Sequence, residues 1–266
     1  MQFRHQIDNS KKQIITPGLY LVSTPIGNME DITIRGINIL KKSDLILCED
    51  TRRSGKLLSY FKIKNKLLPY HKFNEKSVSN KIIDLIKNNK IISLISDAGT
   101  PTISDPGKIL VNKCLEENLN IYPVPGPSAV TSAISVSGFK EQYIFYGFLK
   151  KKVNEVNNEL KNLSYIDYPL IFFIPAKKIN FYISQFKKYF GDRKIMIAKE
   201  MTKMHEKFIR DDVKLIKNLD QNLKGELTIV LSEKNKEKNI KNEISESVKI
   251  EIKKMLKKYS HKDVVD

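Results

Sequence analysis

The sequence predicts an α/β protein built as two lobes, and three observations predict it. Short, β-rich apolar runs alternate with amphipathic stretches through the first half of the chain. Loops carrying Gly and Pro stand at the ends of successive runs. After a break over Gly138–Gly147 the alternation starts again. Strands alternating with helices imply a parallel sheet with right-handed crossovers, and the carboxyl ends of such strands are where ligands bind.

In order, Leu19–Ser23 reads as a buried strand behind Gly18, and the loop Thr24–Asn28 follows it. Asp31 is expected to cap a helix running to about Lys42, with Ile34, Ile37 and Leu40 on its buried face. Asp44–Cys48 is the second strand. It runs into the polar loop Glu49-Asp-Thr-Arg-Arg53, then a helix to about Phe61 and a short strand near Leu67–Tyr70. Residues 77–89 place Val78, Ile82, Ile83 and Ile86 at helical spacing. Ile91–Ile95 is a strong strand that ends in Ser96-Asp-Ala-Gly-Thr-Pro101. A helix over 105–118, a strand over Ile121–Val124, the turn Pro125-Gly-Pro-Ser128 and a helix from about Ser128 to Ser137 complete the first half. The second lobe is expected to hold strands at 143–146, 170–174, 194–198 and 226–231, with helices at 150–163 and 177–190. The expected division is a flexible arm over 1–17, a first lobe over 18–138, a second over 139–232, and a charged linker with a basic helical tail over 233–266.

Composition limits the function classes. The chain has 266 residues and 41% hydrophobic residues, enough for a sizeable core. No apolar run reaches the length of a membrane span, and the polar Met1–Pro17 stretch lacks the apolar core of a signal peptide, so a cytoplasmic protein is expected. Cys48 and Cys114 stand far apart, which supports neither a disulfide framework nor a zinc site and suggests two buried thiols. The net charge of +17 favours polyanionic partners. Lys, Asn and Ile abound along the whole chain, however, so part of that charge is compositional bias. Neither GxGxxG nor GxxxxGK[ST] is present, which argues against an ordinary dinucleotide-binding fold and a P-loop NTPase.

Three loops share one design: Pro25-Ile-Gly27, Asp97-Ala-Gly-Thr-Pro101 and Pro125-Gly-Pro127 each follow a strand. Glycine lets backbone approach a ligand and proline stiffens the loop. One such turn usually only reverses the chain, whereas three at successive strand ends can line one crevice.

These segments also carry a resemblance. Leu19-Tyr-Leu-Val-Ser-Thr-Pro-Ile-Gly-Asn28, Asp31-Ile-Thr33, Cys48-Glu-Asp-Thr-Arg52, Ser96–Pro101 with Asp105-Pro-Gly107, and Pro123–Ser128 resemble the tetrapyrrole methylase superfamily. Within it they resemble the branch that methylates small-subunit ribosomal RNA. The likeness runs over about residues 18–232 and continues in Ala198–Lys203, His205-Glu206 and Gly225-Glu226. It implies two α/β lobes of the tetrapyrrole methylase type with S-adenosyl-L-methionine in a cleft between them. It implies 2′-O-methylation of a cytidine ribose in the decoding region of 16S rRNA in the 30S subunit, a homodimer, and no metal.

The resemblance also implies roles. Pro25, Gly27, Asp97, Gly99, Thr100 and Ser128 match cofactor-facing loops, with Ile103 and Ala129 packing on the cofactor. Ser128 can instead simply cap the next helix. Methyl transfer to a hydroxyl needs alignment and proton removal. Glu49 or Asp50 can take the proton or orient the ribose, while Arg52 and Arg53 can hold phosphates; without the resemblance this cluster reads as surface ion pairs. Lys199 joins the catalytic candidates from the second lobe, and Lys203 and His71 the RNA-binding ones. His205 reads more simply as a solvated or structural histidine. Tyr70 and Phe73 can stack on splayed bases or pack in the core.

Two departures stand out. Where the family shows a Tyr-Glu-Ser-Pro-His-Arg-like run, this chain has Phe173-Ile-Pro-Ala-Lys-Lys178, so those side-chain roles do not carry over. Tyr259–Asp266 resembles the start of a small helical extension that then stops. Two rival readings remain open: a methylase of a small molecule on the same fold, and a non-catalytic RNA-binding or ribosome-assembly protein.

Overall fold

The computed structural model describes residues 15–220, 223, 225–235, 251, 254 and 255. The arm expected over 1–17 and the linker and tail expected over 233–266 lie largely outside these. The described chain forms two compact units that divide between Ala129 and Val130, ahead of the boundary expected at 138/139, and the segment Met201–Lys203 groups with the first unit.

In the first unit, strands β1 (Gly18–Val22), β2 (Leu45–Cys48), β3 (Leu67–Pro69), β4 (Ile91–Ile95) and β5 (Ile121–Val124) form one sheet in the order β3-β2-β4-β1-β5. Every neighbouring pair is parallel. Helices α1 (Ile34–Lys42), α2 (Thr51–Tyr60), α3 (Glu75–Lys87) and α4 (Lys108–Glu116) connect them. Successive strand residues face opposite sides, so one run of apolar residues feeds two cores. Tyr20, Val22, Ile46 and Cys48 pack with Ile39 and Leu40 of α1 and Leu57 and Leu58 of α2. Leu19, Leu47, Ile92 and Leu94 pack on the other face with Ile82 and Ile86 of α3 and Leu110 and Cys114 of α4. Both cysteines are buried free thiols, and desolvation pushes Cys114 up to about 11.

Two local expectations are corrected. Asp31 does not cap α1: it lies in a 3₁₀ turn over Met29–Asp31. Thr33 is the cap, extended at φ −77° and ψ 148°, with its hydroxyl accepting from the Gly36 N–H at 2.9 Å. The buried stripe is therefore Gly36, Ile39 and Leu40, at the i, i+3, i+4 spacing of one helix face, and Ile34 is exposed. The fourth helix starts at Lys108 rather than 105, because Gly107 before it takes φ +127°. A Cβ on Gly107 would come within 2.5 Å of Leu94 Cδ2, so glycine is needed there for both conformation and space.

The second unit holds most of α5 (Ala129–Ser135), then β6 (Ile144–Phe148), α6 (Val153–Ser164), β7 (Leu170–Pro175), α7 (Ile179–Tyr189), β8 (Lys194–Lys199), β9 (Lys207–Asp212) and β10 (Glu226–Leu231). Its sheet is mixed, in the order β6-β7-β10-β8-β9, with only β6 and β7 parallel. Sequence reading misses β9. As an edge strand of the sequence KFIRDD it needs no apolar alternation and shows none. A buried arginine ties the loops of this unit together. Arg193 donates to the carbonyls of Tyr168 and Ser232, both at 3.0 Å, and to those of Ser164 and Ile166, while Phe190 lies under its guanidinium. Among the described residues no helix is long and apolar enough to cross a membrane.

Candidate active site

Because all five strands of the first sheet run the same way, the loops after them gather on one edge. Their order along it is Tyr70–Asn74, Glu49–Arg53, Ser96–Pro101, Ser23–Asn28 and Pro125–Ser128. Helices α1 and α2 cover one face, and α3 and α4 cover the other. The chain leaving β4 thus turns to the opposite face from the chains leaving its neighbours β1 and β2. Such a divergence opens a crevice beside the strand end, the usual ligand position in an open α/β sheet.

The three Gly/Pro loops are laced to one another at this edge. Thr24 and Gly99 exchange two backbone hydrogen bonds, each 2.9 Å. The Thr24 hydroxyl donates to the Ser96 carbonyl at 3.0 Å, and Ser96 Oγ donates to the Gly99 carbonyl at 3.1 Å. Ser23 Oγ and Thr100 Oγ1 are hydrogen-bonded at 3.0 Å, and Thr100 also donates to the Pro127 carbonyl at 3.4 Å. A Cβ on Gly126 would come within 2.9 Å of Ser23 Cβ. Gly99 takes φ +81°, and Thr102 and Ser104 take φ +70° and +68°, a costly conformation for residues that carry a Cβ. Strain of this kind concentrates where a loop must present its backbone in one particular way.

The Met201–Lys203 segment belongs to the same unit and packs on the first of these loops. Thr202 Oγ1 accepts from the Asn28 N–H at 3.0 Å. A Cβ on Gly27 would lie 2.6–2.7 Å from Lys203 Cγ, the Met201 carbonyl and Thr202 Oγ1. Glu200 and Thr202 both take positive φ around the buried Met201.

Asp97 joins the Ser96–Pro101 loop to the Glu49–Arg53 loop. Its Oδ1 accepts from the Asp50 N–H at 3.2 Å, and its Oδ2 lies 3.2 Å from Arg53 Nη1. Asp50 caps α2 through the Arg52 N–H at 2.8 Å and grips the Arg52 side chain with both oxygens, at 3.1 and 2.8 Å. The Arg52 side chain beside it holds the Asp50 carboxyl down to about 2. Glu49 and Asp50 are half-buried, whereas the Arg52 and Arg53 side chains are 86% and 69% exposed.

Most of the candidate residues therefore converge. Pro25, Gly27, Asp97, Gly99, Thr100, Ile103, Ser128 and Ala129 lie in or directly after three adjoining loops, and Glu49, Asp50, Arg52, Arg53 and His71 in the next two. Lys203 groups with them, while Lys199 ends β8 in the second unit. Tyr70 and Phe73 separate completely. Tyr70 is buried against Ser79 and is a core residue, whereas Phe73 is 97% exposed. Thr202, which stands in the Ala198–Lys203 run that carries the resemblance, laces the loops together with Ser23 and Thr24, and those two were not singled out from sequence. The signal was a pair of hydroxyl residues directly after an apolar strand, which is easily read as ordinary strand termination. Among the described residues no group of three or more His, Cys, Asp or Glu is placed to hold a metal.

Residues 18–216 match the family of tetrapyrrole (corrin/porphyrin) methylases. The chain belongs to the tetrapyrrole methylase family. It is 43% identical over 219 residues to the ribosomal RNA small subunit methyltransferase I of Thermotoga maritima, covering 81% of this chain and 98% of that protein. It is 42% identical over 226 residues to the protein of that name from Mesomycoplasma conjunctivae, covering 84% and 94%. Against the Bacillus subtilis protein of that name it is 40% identical over 223 residues, covering 82% and 76%. Among solved structures, a diphthine synthase superposes with a TM-score of 0.64 at 14% identity, covering 80% of this chain and 89% of that one. The uroporphyrin-III-C-methyltransferase of Thermus thermophilus gives 0.58 at 14% identity, covering 81% and 94%. At these identities the structures establish the fold of this tetrapyrrole methylase family member and nothing finer.

The unusual second-unit run has a structural account within this family member. Phe173 sits on β7 among aromatic neighbours, with ring centroids 5.0 Å from Phe145 and 5.4 Å from Phe148. The Ala176 N–H is held by the Gly225 carbonyl at 2.9 Å. The run thus packs β6 against β7 and pins the turn into α7.

Proposed function

We propose that this chain is an S-adenosyl-L-methionine-dependent methyltransferase of small-subunit ribosomal RNA, and that it methylates the 2′-oxygen of a cytidine ribose in the decoding region of 16S rRNA. The observation that carries the reading is the division of one sheet edge into two halves. The laced Gly/Pro loops after β1, β4 and β5 adjoin one another, and the arginine-bearing loop after β2 lies beside them next to β3. The names of the relatives from three bacteria support the RNA half.

The residues present fit the cofactor. Its amino-acid and nucleoside parts need backbone amides and carbonyls at close range, hydroxyls and a carboxylate. Thr100, Ser128 and Asp97 offer hydroxyls and a carboxylate, the turns at Gly27 and Gly99 bring backbone close, and Pro25, Ile103 and Ala129 form apolar walls. When bound, S-adenosyl-L-methionine supplies an activated methyl group. The protein has to align the ribose hydroxyl and accept its proton. Asp50 is poorly suited to accept it, because a carboxylate held near 2 by Arg52 is a weak base. We therefore assign proton acceptance or ribose orientation to Glu49, and to Asp50 the organisation of the loop. Arg52, Arg53, His71 and Lys203 contact the RNA backbone, and Lys199, two residues before the Met201–Lys203 segment, stays a catalytic candidate. The same proposal includes a cytoplasmic homodimer that acts on the 30S subunit without a metal.

Isothermal titration of the folded chain with S-adenosyl-L-methionine tests the cofactor half. Saturable binding is expected, and a folded protein giving no binding heat overturns the proposal.

A further inference from the structure

Phe73 is the most exposed large apolar side chain among the described residues, at 97%. A lone exposed apolar residue is ordinary on a protein surface. Three observations set this one apart. First, the turn that carries it is fixed. Asn74 Oδ1 accepts from the His71 N–H at 2.8 Å, Asn74 Nδ2 donates to the Pro69 carbonyl at 2.9 Å, and the His71 carbonyl accepts from the amides of Asn74 and Glu75, both at 3.0 Å. The backbone that carries the ring is a hydrogen-bonded turn rather than a loose tip. Second, exposed lysines lie on both sides of it in sequence, Lys72 before it and Lys76 in the first turn of α3, and the His71 ring meets it edge-on at 6.0 Å. Third, it stands next to the arginine-bearing loop, because the Tyr70 N–H donates to the Cys48 carbonyl at 2.8 Å and Cys48 pairs with Pro69 across β2 and β3.

An exposed aromatic face on a hydrogen-bonded turn between lysines is a combination that can hold an unstacked base of a single strand. A protein partner would call for a contiguous apolar patch, and the residues on either side of Phe73 are Lys72 and Asn74. We propose that Phe73 is a stacking platform for an unpaired nucleobase of the RNA strand, lying on the substrate half of the sheet edge beyond Glu49–Arg53. The inference rests on the RNA reading above. It adds a contact that sets how the strand lies relative to the reacting ribose.

The chain contains no tryptophan, so Phe73→Trp introduces the sole such fluorophore at the proposed contact. Titration of the full-length variant with a short single-stranded oligoribonucleotide of mixed sequence, and with 30S subunits, should quench that fluorescence saturably through base stacking. Phe73→Ala should weaken RNA binding by roughly 5- to 150-fold, the range of one base–aromatic stack. Phe73→Tyr should retain it, and all three variants should bind S-adenosyl-L-methionine as the parent does. Because the ring is almost wholly exposed, none of them threatens the core. RNA binding without any change in fluorescence, or equal RNA affinity for the Ala and Tyr variants, overturns the inference. Quenching that depends on protein concentration alone also overturns it, since the ring would then be a self-association contact. Cofactor binding without RNA binding by the parent chain removes both the RNA reading and this role. RNA quenching without cofactor binding removes the methyltransferase reading and leaves the stacking role in place.

Discussion

Asp97 faces two demands on one carboxylate. Both oxygens already serve the loop after β2, one through the Asp50 N–H and the other through Arg53. A carboxylate has about four acceptor sites, so it can still take a donor from the cofactor. Asp97→Ala should weaken S-adenosyl-L-methionine binding by about 1–3 kcal/mol, the scale of a charged hydrogen bond, as read by calorimetry. Unchanged affinity would confine Asp97 to organising the Glu49–Arg53 loop. Asp50 gives a second test at this scale. Its carboxyl is depressed from the ordinary 3.8 to about 2, first by the Arg52 side chain and then by the Arg52 N–H. A depressed carboxylate contributes above its ordinary value, and the contribution is lost as pH falls through the folded one. The Asp50–Arg52 cap should therefore persist at neutral pH and fail only between about pH 4 and 2. Carboxyl NMR should place the Asp50 midpoint near 2, and Arg52→Ala should move it upward. A midpoint near 4 in the parent chain would mean that the pair does not form in solution.

The strands with dense apolar runs were legible from sequence because burial on both faces leaves a continuous hydrophobic signature. Leu19–Val22, Ile91–Ile95 and Glu226–Leu231 are the clearest cases. Strand β9 was not legible, since an edge strand is held by backbone pairing to β8 and needs no such signature. The start of α1 was misplaced for a different reason. Asp31 and Thr33 are both good caps by type, and only the backbone angles decide between them. Arg193 was invisible as well: nothing in the sequence marks one arginine among many as buried. Its four carbonyl partners come from the segments around Ser164–Tyr168 and from Ser232. Removing it would leave those acceptors unpaired, so Arg193→Ala should destabilise the second unit by about 3 kcal/mol or more. Chemical denaturation of the full chain measures this, and a loss under about 1 kcal/mol would show that water replaces the guanidinium.

At the scale of the molecule, the site was legible as motifs before it was legible as a place. Pro25-Ile-Gly27, Asp97–Pro101 and Pro125–Ser128 are separated widely in sequence, and only the strand order β3-β2-β4-β1-β5 makes their loops neighbours. The same order sets the Glu49–Arg53 and Tyr70–Asn74 loops beside them, an arrangement that neither charge nor composition could supply. Sequence alone also could not separate Tyr70 from Phe73, because side-chain type is the same for a core aromatic and an exposed one. The net charge of +17 adds long-range attraction for RNA, which salt should screen. The central claim, methyl transfer to the ribose of small-subunit rRNA, is tested most directly by one measurement. The full chain is incubated with 30S subunits that lack the modification and with methyl-labelled S-adenosyl-L-methionine, and the label is mapped along the 16S rRNA. The account predicts label on the 2′-oxygen of a cytidine in the decoding region. Label on a base, or none on the rRNA of a protein that binds the cofactor, would contradict it.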